Sequence, residues 1–319
     1  MKNIFKVSFF LTLTVLIVSC NKSDDTPTVV ELRDRQEVYD ENISEIETYL
    51  QSSFLTVDAN LNATIATIGA GETSVWDQTA YPLQSVIVKN DGRTTNFVNG
   101  RFADDVEYKL YYIVLNEGGG NYPKSVDSTL VGYKGWNLQN ESFDQNNQGT
   151  WFTFPQLGQF DPVSISGFRQ ILSKVKTSSS TTPTVNSDGT LSWPDHGNVL
   201  VFIPAGLAYF NIPRTNIEAY KPIVFQSRLF ALKKNDHDRD RVLSQYEDLN
   251  DDNDYFNDDT DGDNIPDFLD IDDDGDGFVT KTEIIETNDG NGNITYYSYP
   301  SIPFCSSGSI KKYLDANCN

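Results

Sequence analysis

The spacing of apolar positions predicts one amphipathic helix at the start of the folded chain. From Glu31 to about Gln51, apolar side chains recur at steps of three and four residues, with charged residues between them. They are Leu32, Tyr39, Ile43, Ile46 and Leu50. This period matches one face of an α-helix. Between Ala59 and Arg101 the pattern is weaker, and only residues 86–88 predict a strand there, followed by a turn at residues 90–92.

A strand-rich region follows, in which β-branched and aromatic runs are separated by Gly, Pro and Asn. The runs are Tyr108–Leu115, Ser128–Tyr133, Trp151–Phe154, Val199–Ile203 and Ile223–Leu232. Such runs predict strands, and Ser164–Val175 between them predicts one short helix. The expected fold is therefore α+β, with an antiparallel sheet packed against a single helix. The polar residues 177–182 predict an exposed loop.

Composition places the chain among folded proteins and excludes several classes of function. The 319 residues are 38% hydrophobic and 12% aromatic, which is too apolar for a disordered acidic chain. A net charge of −22 excludes a nucleic-acid binder, because such proteins need clustered Lys and Arg against phosphate. The sequence holds only two histidines, His196 and His237, and no HExxH or CxxC motif. Catalysis by several His ligands or by a Ser/His/Asp relay is therefore poorly supported.

The first 20 residues read as an export signal. Lys2 and Lys6 supply the positive start, and Val7–Val18 supplies an apolar stretch that is short for a membrane span. The stretch ends in Ile17-Val18-Ser19-Cys20, which resembles the lipobox of bacterial lipoproteins. The resemblance implies an acylated Cys20 and a membrane anchor, most simply at the outer membrane of a bacterial envelope. The alternative is an ordinary signal peptide in which Cys20 is incidental.

Two further cysteines, Cys305 and Cys318, lie near the C-terminus. An exported protein occupies an oxidising compartment, so we expect them to form a disulfide. A disulfide that closes so short a loop contributes about 3 kcal/mol on the chain-entropy model. Its expected role is to hold the C-terminal tail.

Short motifs follow one another in a fixed order between residues 105 and 233. They are Tyr108–Gly120, Val131–Gly135, Ser142–Asp144, Phe152–Phe154, Leu157-Gly158, Ile165–Phe168, Phe202–Tyr209 and Pro222–Phe225. This ordered set resembles the FKBP-type peptidyl-prolyl cis-trans isomerases. The resemblance implies a twisted antiparallel sheet wrapped around a short helix, with an apolar pocket between them.

The resemblance also implies a catalytic site made of aromatic rings. Phe168 would form the floor of the pocket, and Asp144 and the hydroxyl of Tyr209 would form its polar edge. The walls would be Tyr133, Phe143, Phe152, Ile165 and Phe225. No cofactor is expected for this reaction. For any one of these aromatic residues, the alternative is that its ring is simply part of the hydrophobic core.

Three positions depart from the family pattern. Ser164 stands beside Ile165 where an aliphatic residue is common, Phe168 replaces the floor tryptophan, and Phe210 follows Tyr209 where glycine is frequent. We expect them to alter the shape of the pocket. The segment from Leu172 to Asn198 is also longer than the usual link after the helix; we interpret its histidine, at position 196, as an exposed loop residue.

Most of the negative charge is concentrated in one segment. Between Asp236 and Asp289 there are 21 acidic residues and 3 basic ones, which gives this segment a charge of −18 and leaves −4 elsewhere. The acidic residues are spaced as in a twelve-residue calcium loop, which takes ligands at positions 1, 3, 5, 9 and 12 and often glycine at position 6. Three such twelve-residue frames occur, and they begin at residues 236, 259 and 272. At position 6 they have Arg241, Asn264 and Gly277.

The candidate calcium ligands fall into three frames. The first frame contains Asp236, Asp238, Asp240, Ser244 and Glu247. The second contains Asp259, Asp261, Asp263, Asp267 and Asp270. The third contains Asp272, Asp274, Asp276, Thr280 and Glu283. A weaker frame runs through Asp248, Asn250 and Asp252.

Tandem frames of this kind resemble thrombospondin type-3 or dockerin-like repeats. All the ligands are hard oxygens, which select Ca²⁺. We therefore expect structural calcium, and the alternative is a disordered acidic spacer.

Together these features predict five segments. They are an export signal (1–20), a tether with a helix and a small extension (21–102), an FKBP-like isomerase domain (103–234), calcium repeats (235–290) and a C-terminal tail (291–319). The expected function is isomerisation of proline-containing segments of exported proteins. The competing hypotheses are a non-catalytic FKBP-like binding module with a calcium-rigidified spacer, and an adhesive surface lipoprotein.

Overall fold

The computed structural model describes residues 32–93, 104–155, 164–306 and 308–318. The predicted export signal, Cys20, the tether up to residue 31 and the motif Leu157-Gly158 lie outside the described residues. Residues from Leu32 onward form one compact unit. None of the helices in the described ranges is long and apolar enough to cross a membrane.

The structure is α+β, with antiparallel sheets and few helices, as the sequence predicts. The α-helices are α1 (Arg35–Ser52), α2 (Ser166–Ile171) and α3 (Thr280–Glu283). The first six strands are β1 (Ser53–Val57), β2 (Ala63–Thr67), β3 (Gln84–Val88), β4 (Tyr108–Asn116), β5 (Ser128–Asn137) and β6 (Ser142–Phe152). The others are β7 (Thr184–Val185), β8 (Leu191–Ser192), β9 (Gly197–Ile203), β10 (Ile223–Lys233), β11 (Ile285–Asn288) and β12 (Ile294–Tyr296).

A six-stranded sheet in the order β3-β4-β9-β10-β5-β6 forms the centre of the molecule, and every pairing in it is antiparallel. Strands β9 and β10 occupy its middle; β9 is wholly buried and β10 mostly so. Residues 199–203 of β9 and residues 223–225 of β10 are runs of mainly β-branched and aromatic residues, which suit strands that are covered on both faces.

Both faces of the sheet are covered. On one face, α2 packs Phe168 and Ile171 against Val201 and Phe225 of the central strands. On the other face, α1 and the β1-β2 hairpin bury Ile46, Leu50, Ile65 and other apolar residues against the sheet. Ile43, Ile46 and Leu50 of the predicted apolar stripe cover the second face, whereas Tyr39 packs against the cluster of the first face. Leu32 is exposed and precedes the helix, so its inclusion in the stripe was wrong.

The described part of the predicted N-terminal extension, residues 32–93, belongs to this arrangement. Strand β3 pairs with β4 at the edge of the sheet, and the side-chain oxygen of Gln226 in β10 accepts a hydrogen bond from the backbone of Ala63, 3.0 Å away. The predicted boundary at residues 102 and 103 lies outside the described residues, and the described residues before and after it belong to one compact unit. The hairpin had no clear pattern in the sequence because its two strands are short and only partly buried.

The acidic segment forms loops with single helical turns rather than long helices. Two small apolar clusters support it: one contains Tyr255 and Phe268, and the other joins Val242, Ile284 and Tyr313. Cys305 and Cys318 form a disulfide in the C-terminal tail.

Candidate functional site

Five aromatic rings meet where α2 crosses the sheet. Phe168 of α2 lies at the centre, with ring centroids 5.8 Å from Tyr133, 5.6 Å from Phe152 and 5.1 Å from Phe225. Phe143 packs on Phe225 at 5.3 Å. These contacts are edge-to-face, the arrangement that aromatic rings prefer.

The floor and the walls of this ring cluster differ in exposure. Phe168 and Phe225 are buried, whereas Tyr133, Phe143 and Phe152 are half-buried. Ile165, the residue before α2, is also half-buried and packs against the same core. The structure thus brings together all the apolar residues that the sequence assigned to the pocket, with the wall side chains partly open to solvent.

Gly135 makes the approach of two of these rings possible. A Cβ atom at this position would lie 2.5 Å from the ring of Phe143 and 2.7 Å from the ring of Phe225. Real Cβ atoms essentially never come so close, so no larger residue fits here unless a ring moves. The glycine therefore helps to shape the wall.

A polar edge borders the rings. The hydroxyl of Tyr133 donates a hydrogen bond to Asp144, 3.1 Å away, and Asp144 is exposed. Burial and this hydrogen bond raise the pKa of Tyr133 to about 12. The pKa of Tyr209 is also raised, by burial and then by the charge of Asp144, and the guanidinium of Arg214 lies 5.4 Å from its ring. Both hydroxyls therefore stay protonated at neutral pH and can donate hydrogen bonds.

Phe210 has a left-handed backbone with φ of 50°. It stands where glycine is frequent in the family that the sequence resembles. Its ring packs edge-on against Tyr220 at 5.0 Å, and the guanidinium of Arg35 in α1 lies 4.1 Å from it. The side chain of Phe210 thus packs the segment after β9 against Arg35, the first residue of α1. These contacts offset the strain of a non-glycine residue at positive φ.

The long segment after α2 folds back on β10. Trp193 stacks on Phe230 at 5.9 Å, and His196 packs edge-on against the same ring at 5.2 Å. His196 is half-buried, and burial lowers its pKa. The prediction of an exposed histidine was therefore wrong, because Trp193 and His196 both pack against Phe230 of β10.

The acidic frames share one backbone geometry. At position 6, Arg241, Asn253, Asn264 and Gly277 have φ of 89°, 64°, 77° and 92°. Asn253 belongs to the weaker frame that begins at Asp248. At position 5, the carboxylates of Asp240, Asp263 and Asp276 each accept a hydrogen bond of 2.7 Å from the backbone two residues later. The frames therefore turn alike even without glycine.

The side chains at position 9 bind the loops themselves. The hydroxyl of Ser244 accepts from the backbone of His237, Asp267 accepts from the backbone of Thr260, and the hydroxyl of Thr280 accepts from the backbone of Asp273. The sequence predicts these three side chains as metal ligands, and that stays a prediction. In the structure each of them satisfies the backbone N–H at position 2 of its own frame.

Carboxylates converge in three groups whose ligand oxygens lie within 4.8 Å of one another. The groups are Asp238, Asp240, Glu247 and Asp273; Asp259, Asp261 and Asp263; and Asp272, Asp274 and Asp276. Two oxygens on opposite sides of one Ca²⁺ are about 4.6–5.2 Å apart. Nine of the predicted ligands thus belong to these groups, and Asp273 joins the first group from outside its frame.

Many of these oxygens are buried and make no hydrogen bond in the described part of the chain. They include both carboxylate oxygens of Glu247, Asp273 and Glu283, and one oxygen each of Asp236, Asp238, Asp240, Asp272, Asp274 and Asp276. Burying a carboxylate without a partner costs several kcal/mol, so a cation fits these positions. In the metal-free chain, burial and neighbouring carboxylates raise the pKa of Asp273 to about 10 and that of Glu283 to about 7.

The remaining predicted ligand, Asp270, is buried, and its pKa is raised by burial and by the charges of Asp263 and Asp261. It therefore lies near the second group, at the end of its frame. Asp273 was missed by the sequence analysis. It occupies position 2 of the last frame, a position with no ligand role, and no spacing within one frame could have identified it.

Comparisons with known proteins give two kinds of similarity. Residues 237–312 match the family model described as BamM C-terminal. A search of curated proteins gave no match. Among solved structures, the chain is similar to FkpA from Escherichia coli at 24% identity and a TM-score of 0.29, over 39% of this chain and 48% of FkpA. The chain thus matches about half the length of FkpA.

Two further solved structures are similar over the same share of the chain. One is a peptidyl-prolyl cis-trans isomerase from Pseudomonas syringae pv. tomato, at 23% identity, with 39% of this chain and 76% of that chain covered and a TM-score of 0.30. The other is the N-terminal domain of FKBP42 from Arabidopsis thaliana, at 12% identity, with 39% and 87% covered and a TM-score of 0.30.

The acidic segment contacts the rest of the molecule near the ring cluster. Arg93 forms ion pairs with Asp91 at 3.0 Å and with Asp254 at 2.6 Å, and its guanidinium lies 4.1 Å from the ring of Phe256. Arg169, which follows Phe168 in α2, lies 4.0 Å from Asp91. One chain of charged contacts therefore links an acidic loop to the helix that carries the floor of the cluster.

Proposed function

We propose that the protein is a peptidyl-prolyl cis-trans isomerase that acts on proline-containing segments of exported proteins. The observation that carries the proposal is the ring cluster around Phe168, with the hydrogen-bonded pair of Tyr133 and Asp144 at its edge. The order of motifs shared with the FKBP-type isomerases supports it independently.

Such a site can catalyse isomerisation without a nucleophile. Resonance gives the peptide bond a rotation barrier of about 18–20 kcal/mol, and the twisted bond has less resonance. Aromatic walls can hold a proline ring and exclude water, while Tyr133, Tyr209 and Asp144 bind the polar groups of the peptide. Each 1.36 kcal/mol by which the twisted form is favoured gives about a tenfold gain in rate.

We also propose that the acidic frames hold structural Ca²⁺ and that Cys20 carries a lipid at the cell envelope. The buried carboxylate oxygens without partners support the first part. The lipobox-like sequence supports the second part, and the match to the BamM C-terminal model is compatible with it. The ions would neutralise a segment that is otherwise self-repelling.

The test is the rate of cis-trans isomerisation of a short X-Pro peptide with the calcium-loaded protein. We expect acceleration by the wild type and a loss of about two- to tenfold in Asp144→Ala and in Tyr133→Phe, as one hydrogen bond contributes about 0.5–1.5 kcal/mol. Trp151→Ala is the matched control. Trp151 precedes Phe152 in β6, so its exposed side chain points away from the ring cluster.

The second candidate is a binding module that grips proline-containing segments without isomerising them. Phe168, which replaces the tryptophan common in the resembling family, favours it. The match to the BamM C-terminal model covers residues 237–312, outside the ring cluster, and is compatible with both candidates. Peptide binding that is weakened by Asp144→Ala, with no acceleration by the folded wild type, would decide for this candidate.

A further inference from the structure

The first carboxylate group joins the two ends of the acidic segment. Asp238, Asp240 and Glu247 belong to the first frame, and Asp273 belongs to the last frame. Their oxygens lie within 4.8 Å of one another, the range spanned by the ligands of one Ca²⁺. The other two groups each draw all their members from a single frame.

This group is also the most deeply buried. Asp240, Glu247 and Asp273 are only 2%, 1% and 1% exposed. Both oxygens of Glu247 and both oxygens of Asp273 are buried and make no hydrogen bond within the described ranges. No Lys or Arg in those ranges forms an ion pair with these four residues. Four converging carboxylates in such surroundings must keep protons or bind a cation, and one cation can satisfy all four at once.

The first frame needs a ligand from elsewhere. Its ninth residue, Ser244, is engaged by the backbone and the ring of His237, at 3.2 Å and 2.8 Å. Asp273 brings a free carboxylate to the group instead. Its own backbone N–H is held by Thr280 at 3.3 Å, which fixes the residue that carries this carboxylate.

Apolar packing holds the same two frames together. Val242 of the first frame and Ile284, which follows the last ligand of the last frame, share one buried cluster with Ile302 and Tyr313 of the C-terminal tail. The approach of Asp273 to the first frame is therefore supported by contacts that do not involve charge.

We propose that Asp273 completes the calcium site of the first frame, and that the ion bound there ties the first frame to the last. This inference rests on the calcium-binding part of the proposed function. The site has four carboxylates and little access to water, whereas Asp261 and Asp263 of the second group are exposed. The ion of the first frame should consequently be the last one to leave.

The test is the release of Ca²⁺ from the full-length protein into an excess of a fluorescent chelator, followed by stopped flow. We expect one slow phase in the wild type, accelerated at least about tenfold in Asp273→Asn and in Glu247→Gln. Asp261→Asn is the matched control, and it should change a fast phase while leaving the slow phase as it is. A slow phase with the same rate in Asp273→Asn would overturn the inference.

A second measurement uses the wild type alone and does not depend on the folding of a variant. Hydrogen exchange is followed while Ca²⁺ is added in steps to the metal-free protein. With the first equivalent, peptides covering residues 236–247 and 272–284 should gain protection together. Protection of residues 236–247 alone would overturn the role of Asp273, whereas a protein that binds no Ca²⁺ would overturn the calcium proposal itself.

Discussion

Gly135 shows how a single residue shapes the ring cluster. Its backbone lies between the rings of Phe143 and Phe225, where a Cβ atom would be within 2.7 Å of both. We predict that Gly135→Ala lowers the free energy of unfolding by about 1–3 kcal/mol, the usual cost of overpacking. Urea unfolding would measure this loss.

The same substitution should weaken binding of a proline-containing peptide, because one of the two rings must move. The double variant Gly135→Ala/Phe143→Leu restores space on one side. It should therefore be more stable than Gly135→Ala alone, as expected for residues in direct contact. Additive losses in the double variant would contradict this interpretation of the wall.

Thr280 allows the role of position 9 to be tested. Its hydroxyl accepts a hydrogen bond from the backbone of Asp273, and the residue is fully buried. We predict that Thr280→Val destabilises the calcium-loaded protein by about 1–3 kcal/mol, since it leaves a buried N–H unpaired. The number of bound Ca²⁺ ions, measured by equilibrium dialysis, should be unchanged. Loss of one ion would make Thr280 a ligand after all.

The sequence predicted best those helices and strands in which the spacing of apolar residues matches the buried faces. The periods of α1, β4, β9 and β10 are clear because each of these elements buries one or both faces. Strand β6 is much longer than the predicted run at Trp151–Phe154, since most of its residues are polar and lie at an edge of the sheet. Its pairing with β5, rather than its own pattern, extends it.

The residues of the candidate site could likewise be predicted only where their order or spacing along the chain is recognisable. The rings were found because their order along the chain resembles a known family, and the frames were found because their ligands are close in sequence. Asp273 and the ion pairs of Arg93 depend on contacts between distant segments. No local spacing encodes such contacts, so a single sequence could not reveal them.

Arg93 is one of the links between the acidic segment and the sheet, beside the packing of Val126 on Tyr255 and Phe268. Arg93 is 9% exposed and holds both Asp91 and Asp254. We predict that Arg93→Gln lowers the free energy of unfolding by about 3 kcal/mol, because breaking a buried ion pair leaves uncompensated charges. It should also increase proteolysis after Lys233 or Lys234, which precede the acidic segment.

The matched control for this prediction is Arg33→Gln. Arg33 pairs with Glu37 and Glu41 on the exposed side of α1. Exposed pairs contribute about 0–1 kcal/mol, so this variant should unfold nearly as the wild type does. Equal losses in the two variants would show that Arg93 has no special role in joining the acidic segment to the sheet.

For the whole molecule, calcium should reverse the dependence of stability on pH. In the metal-free protein, burial and then the neighbouring carboxylate of Asp240 raise the pKa of Asp238 to about 9, and burial with the same neighbour raises that of Asp273 to about 10. A carboxyl in an unfolded chain has a pKa of about 4. The folded state therefore retains protons that the unfolded chain has lost, and stability falls as pH rises toward these folded pKa values.

The measurement is the melting temperature between about pH 8 and about pH 9, a range well above the ordinary pKa of histidine, so that both histidines are almost entirely neutral in both states. With a chelator present, we expect the melting temperature to fall across this range. With saturating Ca²⁺ it should hold or rise, because the ion binds the deprotonated carboxylates. In Asp273→Asn the fall with chelator should be shallower, since one carboxyl with a strongly raised pKa is gone. Parallel curves with and without Ca²⁺ would mean that the buried carboxylates do not bind the ion.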